Sequence, residues 1–197
     1  MRSSTVTALR SSLRSSQSGF SLMEVIVSTA VLATGLVAVA QMFALSTNTN
    51  RSARWASVGT ALAQQKIEQI RGLAWGFDPF GLPQNDFASD ISVIPPTTTG
   101  GWGLSASPQD VLTTNVPGYV DYLDASGQWV GTGPNPVPGT IFVRRWSIEP
   151  LPTNPNNTLI IQVVVIRLRA GAAATRASVG RVPDEVRLVT LKTRKAT

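Results

Sequence analysis

The chain has 197 residues, of which 43% are apolar and 14% are charged, and its formal net charge is +6. It contains no cysteine and no histidine, which excludes a disulfide framework, a thiolate zinc site and a Ser-His-Asp triad. No phosphate loop, dinucleotide fingerprint or calcium-loop pattern occurs. We therefore expect neither an enzyme nor a bound cofactor or metal.

The charges are segregated along the chain. Residues 1–19 contain three arginines and no acid, whereas residues 72–143 contain six aspartates and neither lysine nor arginine. Ten basic residues follow from residue 144 onward. This distribution argues against a uniformly basic nucleic-acid-binding surface.

A long apolar run follows the basic leader. Residues 25–50 carry no charge. As a helix they would span about 39 Å, and their number exceeds the roughly 20 residues that a helix needs to cross a bilayer core. The basic leader predicts a cytoplasmic N-terminus and translocation of the rest of the chain. Glu24 stands at the mouth of the run, where a carboxylate is costly.

Two ordinary explanations of this segment remain open. The first is a secretory signal peptide, with Ala38-Val39-Ala40 as a small-x-small cleavage site. The second is a simple single-span anchor. Neither explains Glu24 or the glycine at position 19 immediately before Phe20.

A third explanation accounts for both features. The stretch Gly19-Phe20-Ser21-Leu22-Met23-Glu24, followed by an apolar helix, resembles the N-terminal motif of type IV pilins and pseudopilins. The resemblance implies that a prepilin peptidase cleaves between Gly19 and Phe20 and that Phe20 is then N-methylated. It also implies that Glu24 pairs with the Phe20 amine of a neighbouring subunit, because each charge is costly alone and tolerable when paired.

The same resemblance implies a location and a set of partners. The protein would be a single-pass protein of the inner membrane with its head outside the cytoplasm, and later part of a pilus or periplasmic pseudopilus. Its partners would be other pilin or pseudopilin subunits, the prepilin peptidase and an inner-membrane assembly platform. Gly35 is a candidate hinge in the helix, or it merely fits lipid or a neighbouring helix.

The sequence divides into a leader (1–19), a membrane or filament-core helix (20–45) and an amphipathic continuation of that helix (46–75). In the continuation, apolar residues recur at spacings of three and four, and Lys66 is assigned to the polar side. Trp55 is interpreted as a core contact in preference to an interfacial anchor. Gly72 suits the end of the helix.

Residues 76–118 form a loop region with six glycines and six prolines, a density that no long helix tolerates. We expect one short strand at about residues 91–94. The resemblance gives this variable loop a role in subunit contacts. Calcium binding at Asp78, Asp86 or Asp90 is considered and not favoured.

Strand patterns dominate residues 119–197. They predict an antiparallel sheet of about four strands, with one face on the second half of the helix, from segments at 119–123, 128–130, 140–148, 159–168 and 185–193. The fold class is α+β, a long N-terminal helix on a C-terminal sheet, like the ladle shape of pilins. Asp121 and Asp124 are interpreted as residues of a solvated turn.

The order of elements, with Arg145-Trp146 in one strand, is similar to minor pilins of the pilus-modification class and to minor pseudopilins. The chain lacks the cysteine pair of many major pilins, which favours a minor structural subunit. The alternatives are a minor pseudopilin of type II secretion and, less favoured, a secreted binding domain released after Ala40.

The basic residues near the C-terminus raise the question of DNA as a partner, because phosphate neutralisation needs no sequence motif. No interleaved aromatic residues provide a stacking platform among them. A solvated face that complements the acidic region 72–143 is therefore favoured over DNA binding for the set Arg167, Arg169, Arg176, Arg181, Arg187, Lys192, Arg194 and Lys195.

Overall fold

A computed structural model of the chain describes residues 19–168 and 185–194. The chain forms two compact units, Met1–Asn48 and Thr49–Thr197, and the helix α1 (Leu22–Gly72) contributes to both. Within the described residues, seven strands follow α1: β1 (Trp75–Phe77), β2 (Pro83–Asn85), β3 (Val120–Leu123), β4 (Trp129–Gly131), β5 (Phe142–Pro150), β6 (Thr158–Arg167) and β7 (Glu185–Thr193).

The five strands β3 to β7 form one antiparallel sheet in the order β4-β3-β5-β6-β7. This architecture confirms the α+β class, with a long N-terminal helix followed by an antiparallel sheet. The sheet has five strands, against an expected number of about four, because all five predicted segments form strands, including the short edge strand Trp129–Gly131 that pairs with β3. The strands β1 and β2 pair with each other in a separate hairpin.

The hydrophobic core of the second unit lies between the sheet and the second half of α1. On the helix it includes Leu62, Ala63, Ile67 and Ile70. On the sheet it includes alternate residues of β5, among them Phe142, Trp146 and Ile148, because successive side chains of a strand point to opposite faces. Since these apolar groups leave water together, their burial is the main favourable contribution to folding of this unit.

Trp55 belongs to this core. Its ring centroid lies 5.7 Å from that of Phe142, and the guanidinium of Arg167 stacks 3.8 Å from the centroid of the Trp55 ring. Stacking of a guanidinium on tryptophan is a favourable cation–π arrangement. Trp55 is thus a core contact, as expected.

The last strand contacts α1 at two places along the helix. At one, a Cβ placed on Gly59 would lie 2.9 Å from a methyl group of Val186, so only glycine lets the strand approach this closely. At the other, Lys192 donates hydrogen bonds of 2.6 and 2.9 Å to the carbonyl oxygens of Arg71 and Leu73. Arg71 lies in the last turn of α1 and Leu73 directly follows the helix, so the ammonium group caps the carbonyls at the helix end.

The loop region 76–118 contains no helix, as expected, but the strand expected at about 91–94 does not form. Pairing occurs earlier instead, between β1 and β2, and the later segment contributes one isolated bridge between Asp90 and Thr97. Pro95-Pro96 interrupts this segment, because proline has no backbone N–H to donate to a ladder. Ile91 is buried in the core nonetheless.

A buried charge cluster joins the helix to the sheet. The guanidinium of Arg144 donates to both carboxylate oxygens of Asp121, at 2.9 and 2.8 Å. The ammonium of Lys66 lies 2.8 Å from the same carboxylate and donates to the Ile91 carbonyl at 2.6 Å. It also lies 4.3 Å from the centre of the Trp146 ring. The side chains of Lys66 and Asp121 are both 0% exposed.

This cluster corrects two sequence interpretations. Asp121 is not a solvated turn residue: it lies in β3 opposite Arg144 of β5 and faces the helix. Lys66 does not lie on the polar side of α1, because the buried stripe of the helix is wide enough to include it between Ala63 and Ile70. Asp124 does occupy the turn, where its carboxylate accepts from the backbone N–H groups of Ser126 and Gln128.

The cluster contains two cations and one anion, and this imbalance affects Lys66. Burial lowers the pKa of Lys66 from 10.5 to about 8, although the carboxylate of Asp121 opposes the shift. Arg144 adds to the lowering, because a neighbouring like charge disfavours the ammonium form. Arg144 and Asp121 would balance each other without Lys66, so Lys66 carries the excess charge.

We predict that Asp121→Asn destabilises the 49–197 unit by about 3–5 kcal/mol, because it leaves two buried cations without a compensating anion. Urea unfolding of a 49–197 fragment followed by tryptophan fluorescence measures this. The control Asp124→Asn removes a carboxylate three residues away but keeps an acceptor oxygen in an exposed turn, and should cost less than about 1 kcal/mol. Equal losses in the two variants would contradict the account of the cluster.

We also predict that this unit becomes more stable in mild alkali. The folded pKa of Lys66 lies below its unfolded value, so the folded state releases its proton first and the free energy of unfolding rises with pH through this range. The rise should be about 2 kcal/mol between about pH 7.5 and about pH 10. Lys66→Met should abolish it, and an unchanged pH slope in that variant would show that other groups cause the effect.

Candidate processing and assembly site

The expected cleavage point lies in an accessible, non-helical segment. Gly19 and Phe20 precede α1 and are exposed, and the Phe20 side chain is 82% accessible. The helix starts at Leu22, so the Gly19–Phe20 bond is separated from the first helical residue by Ser21 alone. The structure therefore presents this peptide bond free of secondary structure.

Ser21 is the N-cap of α1. Its hydroxyl oxygen accepts a hydrogen bond of 3.2 Å from the backbone N–H of Glu24, which satisfies one of the donors left unpaired at a helix start. Ser21 and Glu24 have the spacing of a capping box, Ser-x-x-Glu. This role of Ser21 is not among the sequence predictions above, although the Ser-x-x-Glu spacing indicates it.

Glu24 lies in the first turn of α1 and is exposed. A carboxylate there is favoured by the partial positive charge of the helix start. Among residues 19–168 and 185–194, no cation forms an ion pair with Glu24 within 4.0 Å. Its carboxylate therefore has no compensating cation among the described residues.

The described part of the first unit is a helix whose side chains are all exposed. By length and composition α1 is able to cross a membrane. Its hydroxyl groups at Thr29, Thr34 and Thr47 donate to backbone carbonyls three or four residues earlier, so they need no water. The helix continues unbroken through Gly35, and its function as a hinge stays a prediction.

The aspartates considered for calcium serve the loop backbone. One carboxylate oxygen of Asp78 accepts from the N–H groups of Phe80 and Leu82. Asp86 and Asp90 likewise accept from nearby backbone N–H groups and from the hydroxyls of Ser89 and Ser92 respectively. Among the described residues, no three acidic side chains form a group that could hold a metal ion.

The basic set near the C-terminus does not form one open face where it is described. Arg167 stacks on Trp55 and Lys192 caps the helix. The Arg194 guanidinium stacks 4.4 Å from the Trp75 ring centre and 4.8 Å from that of Phe77. Arg187 contacts Glu185 at 3.5 Å. The members Arg169, Arg176, Arg181 and Lys195 lie outside the described residues.

An exposed glycine–phenylalanine bond, an N-capped first turn with Glu24 and an apolar helix long enough to cross a membrane thus follow one another at the start of the described residues. Residues 14–40 match the family model described as the prokaryotic N-terminal methylation motif. The chain thus carries the prepilin-type signal shared by type IV pilins and pseudopilins. No curated protein and no solved structure was found to match the chain.

Proposed function

We propose that this protein is a structural subunit, a minor pilin, of a type IV pilus-like filament. The observation that supports this most directly is the methylation motif at residues 14–40, with an accessible Gly19–Phe20 bond just before the capped helix. In this proposal a prepilin peptidase cleaves that bond and Phe20 becomes N-methylated. Neither step requires a catalytic residue of this chain.

Assembly would proceed through the first half of α1. Its side chains are exposed in the single chain and carry no charge between residues 25 and 50. Small residues, among them Ala30, Ala33 and Ala44, permit close helix packing of the kind found in membranes. Glu24, which has no compensating cation among the described residues, would pair with the Phe20 amine of a neighbouring subunit and fix its position.

The assignment to a minor subunit is supported by the absence of a cysteine pair and by the irregular 76–118 segment, whose backbone pairing is confined to the β1–β2 hairpin and one isolated bridge. A minor pseudopilin of a type II secretion system has the same signal and is the closest alternative. In both cases the basic leader would keep the N-terminus cytoplasmic and the head would lie outside the cytoplasm. Subunits and the inner-membrane assembly platform would be its partners.

The first test is the mature N-terminus of the protein isolated from membranes, determined by mass spectrometry. We predict a chain that begins at N-methylated Phe20, and we predict that Gly19→Ala stays at full length because the peptidase requires the glycine. Gly35→Ala, a matched change inside the helix, should be processed normally. A mature chain that begins at Gln41 in all three proteins would instead identify a secreted domain.

The second test concerns Glu24. We predict that Glu24→Gln is processed normally but enters filaments at least about 100-fold less, because it leaves the Phe20 amine of a neighbour unpaired at a cost of about 3–5 kcal/mol. Glu68→Gln, an exposed glutamate further along the same helix, should assemble like the natural protein. Both are measured as the ratio of sheared filament protein to membrane protein, and normal assembly of Glu24→Gln would refute the pairing.

A further inference from the structure

Two arginines differ from every other cation that the structure describes. Through their guanidinium groups, Arg51 and Arg54 make no ion pair, hydrogen bond or ring contact with any described residue, and both are exposed. The remaining cationic side chains among the described residues each contact another group of the chain: Lys66, Arg71, Arg144, Arg145, Arg167, Arg187, Lys192 and Arg194.

The position of these two arginines along α1 is specific. They are the first charges after the uncharged residues 25–50. Those residues rise about 39 Å as a helix, close to the 40–45 Å of a bilayer with its headgroup layers. A helix that spans the membrane with Glu24 at one surface therefore brings Arg51 to the other surface.

The helix geometry directs both side chains towards that surface. Residues three apart lie on the same side of a helix, and the Cα–Cβ bonds of a helix tilt towards its N-terminus. In α1 this direction is towards the apolar run. Long arginine side chains can then extend back to the level of the headgroups while their apolar stems cover the helix surface.

The chemistry of the arginine side chain indicates which class of ligand would bind. A guanidinium presents a planar set of donors that matches the oxygens of a phosphate group, and phosphates are the anionic groups of a phospholipid surface. On the translocated side of a span, basic residues are less common than on the cytoplasmic side. A pair of arginines there with no contact to the described chain therefore points to a ligand outside the chain.

We propose that Arg51 and Arg54 bind the headgroup phosphates of anionic phospholipids in the outer leaflet of the membrane that α1 spans. This inference rests on the proposed membrane-inserted state and adds a lipid-binding site to it. The site holds the junction between the apolar run and the 49–197 unit at the membrane surface until the subunit leaves the bilayer.

The test uses the full chain purified in a non-ionic detergent and titrated with phosphatidylglycerol, with bound lipid counted by native mass spectrometry. In Arg51→Gln/Arg54→Gln we expect the apparent affinity to fall about fivefold for each arginine, the equivalent of roughly 1 kcal/mol per residue. The control Arg71→Gln makes the same charge change on the same helix, about 25 Å beyond Arg54. It should bind lipid like the natural chain.

Two further arms identify the ligand. Diacylglycerol, which lacks the phosphate, should not occupy the site, and millimolar inorganic phosphate should not displace phosphatidylglycerol. Unchanged affinity in the double variant, or an equal loss in Arg71→Gln, would overturn the proposal. The N-terminus of the protein in the same preparation separates the two inferences. If the chain starts at Phe20 and its affinity for phosphatidylglycerol does not depend on Arg51 and Arg54, only the lipid site is refuted. If the chain starts at Gln41, the membrane subunit itself is refuted.

Discussion

Asp121 accepts two hydrogen bonds from Arg144 of the sheet and forms an ion pair with Lys66 of the helix. The side chains of all three residues are buried. A single carboxylate thus connects β3, β5 and α1, and through the Lys66 hydrogen bond to Ile91 it also holds the loop region. Apolar surfaces attract one another without strong directional preference. The charge cluster adds the direction, because hydrogen bonds depend on distance and angle and so require specific relative positions of the helix, the sheet and the loop.

The two units differ in where their polar side chains find hydrogen-bond partners. In residues 22–48 the threonine hydroxyls are satisfied by the helix's own carbonyls, so this segment is self-sufficient in an apolar environment. In the 49–197 unit, some buried charged groups are in addition satisfied between distant segments, as in the hydrogen bond of 2.9 Å from Arg144 to the Leu62 carbonyl. A helix with the arrangement of residues 22–48 keeps its internal hydrogen bonds whether lipid or other helices surround it, which suits the proposed passage of the subunit from a membrane to a filament.

The sequence predicts a structural feature correctly where its residue pattern is typical of only one kind of structure. Length and absence of charge indicate the apolar run, and residue period with turn residues indicates the strand segments of the five-stranded sheet. The Gly19–Glu24 motif is recognisable only through its resemblance to a known family. Asp121 was missed because an aspartate near a turn is usually solvated, and its partners Lys66 and Arg144 are 55 and 23 residues away. Lys66 could have been placed correctly, since it stands four residues after Leu62 and four before Ile70.

The loop region was harder to predict for a related reason. Glycine and proline exclude a long helix but do not say which short segments pair. Pro83–Asn85 carries little strand preference, and Trp75–Phe77 is only three residues long with a glycine at its centre. Their pairing is instead supported by contacts that only the tertiary structure provides, such as the stacking of Arg194 on Trp75 and Phe77. Ile91 is buried without belonging to a strand, because its environment is set by the core and not by a ladder.

The contacts of β7 have a consequence for synthesis. This strand pairs with β6, packs against Gly59 and caps the helix through Lys192, so it meets α1 at residues that leave the ribosome more than a hundred positions earlier. The apolar stripe of the helix cannot be fully covered while residues 185–193 are still being made. A nascent chain therefore passes through a stage in which α1 is complete while its partner sheet still lacks β7. In this stage the side chains of Leu62, Ile67 and Ile70 are not yet fully covered and are accessible to chaperones or proteases.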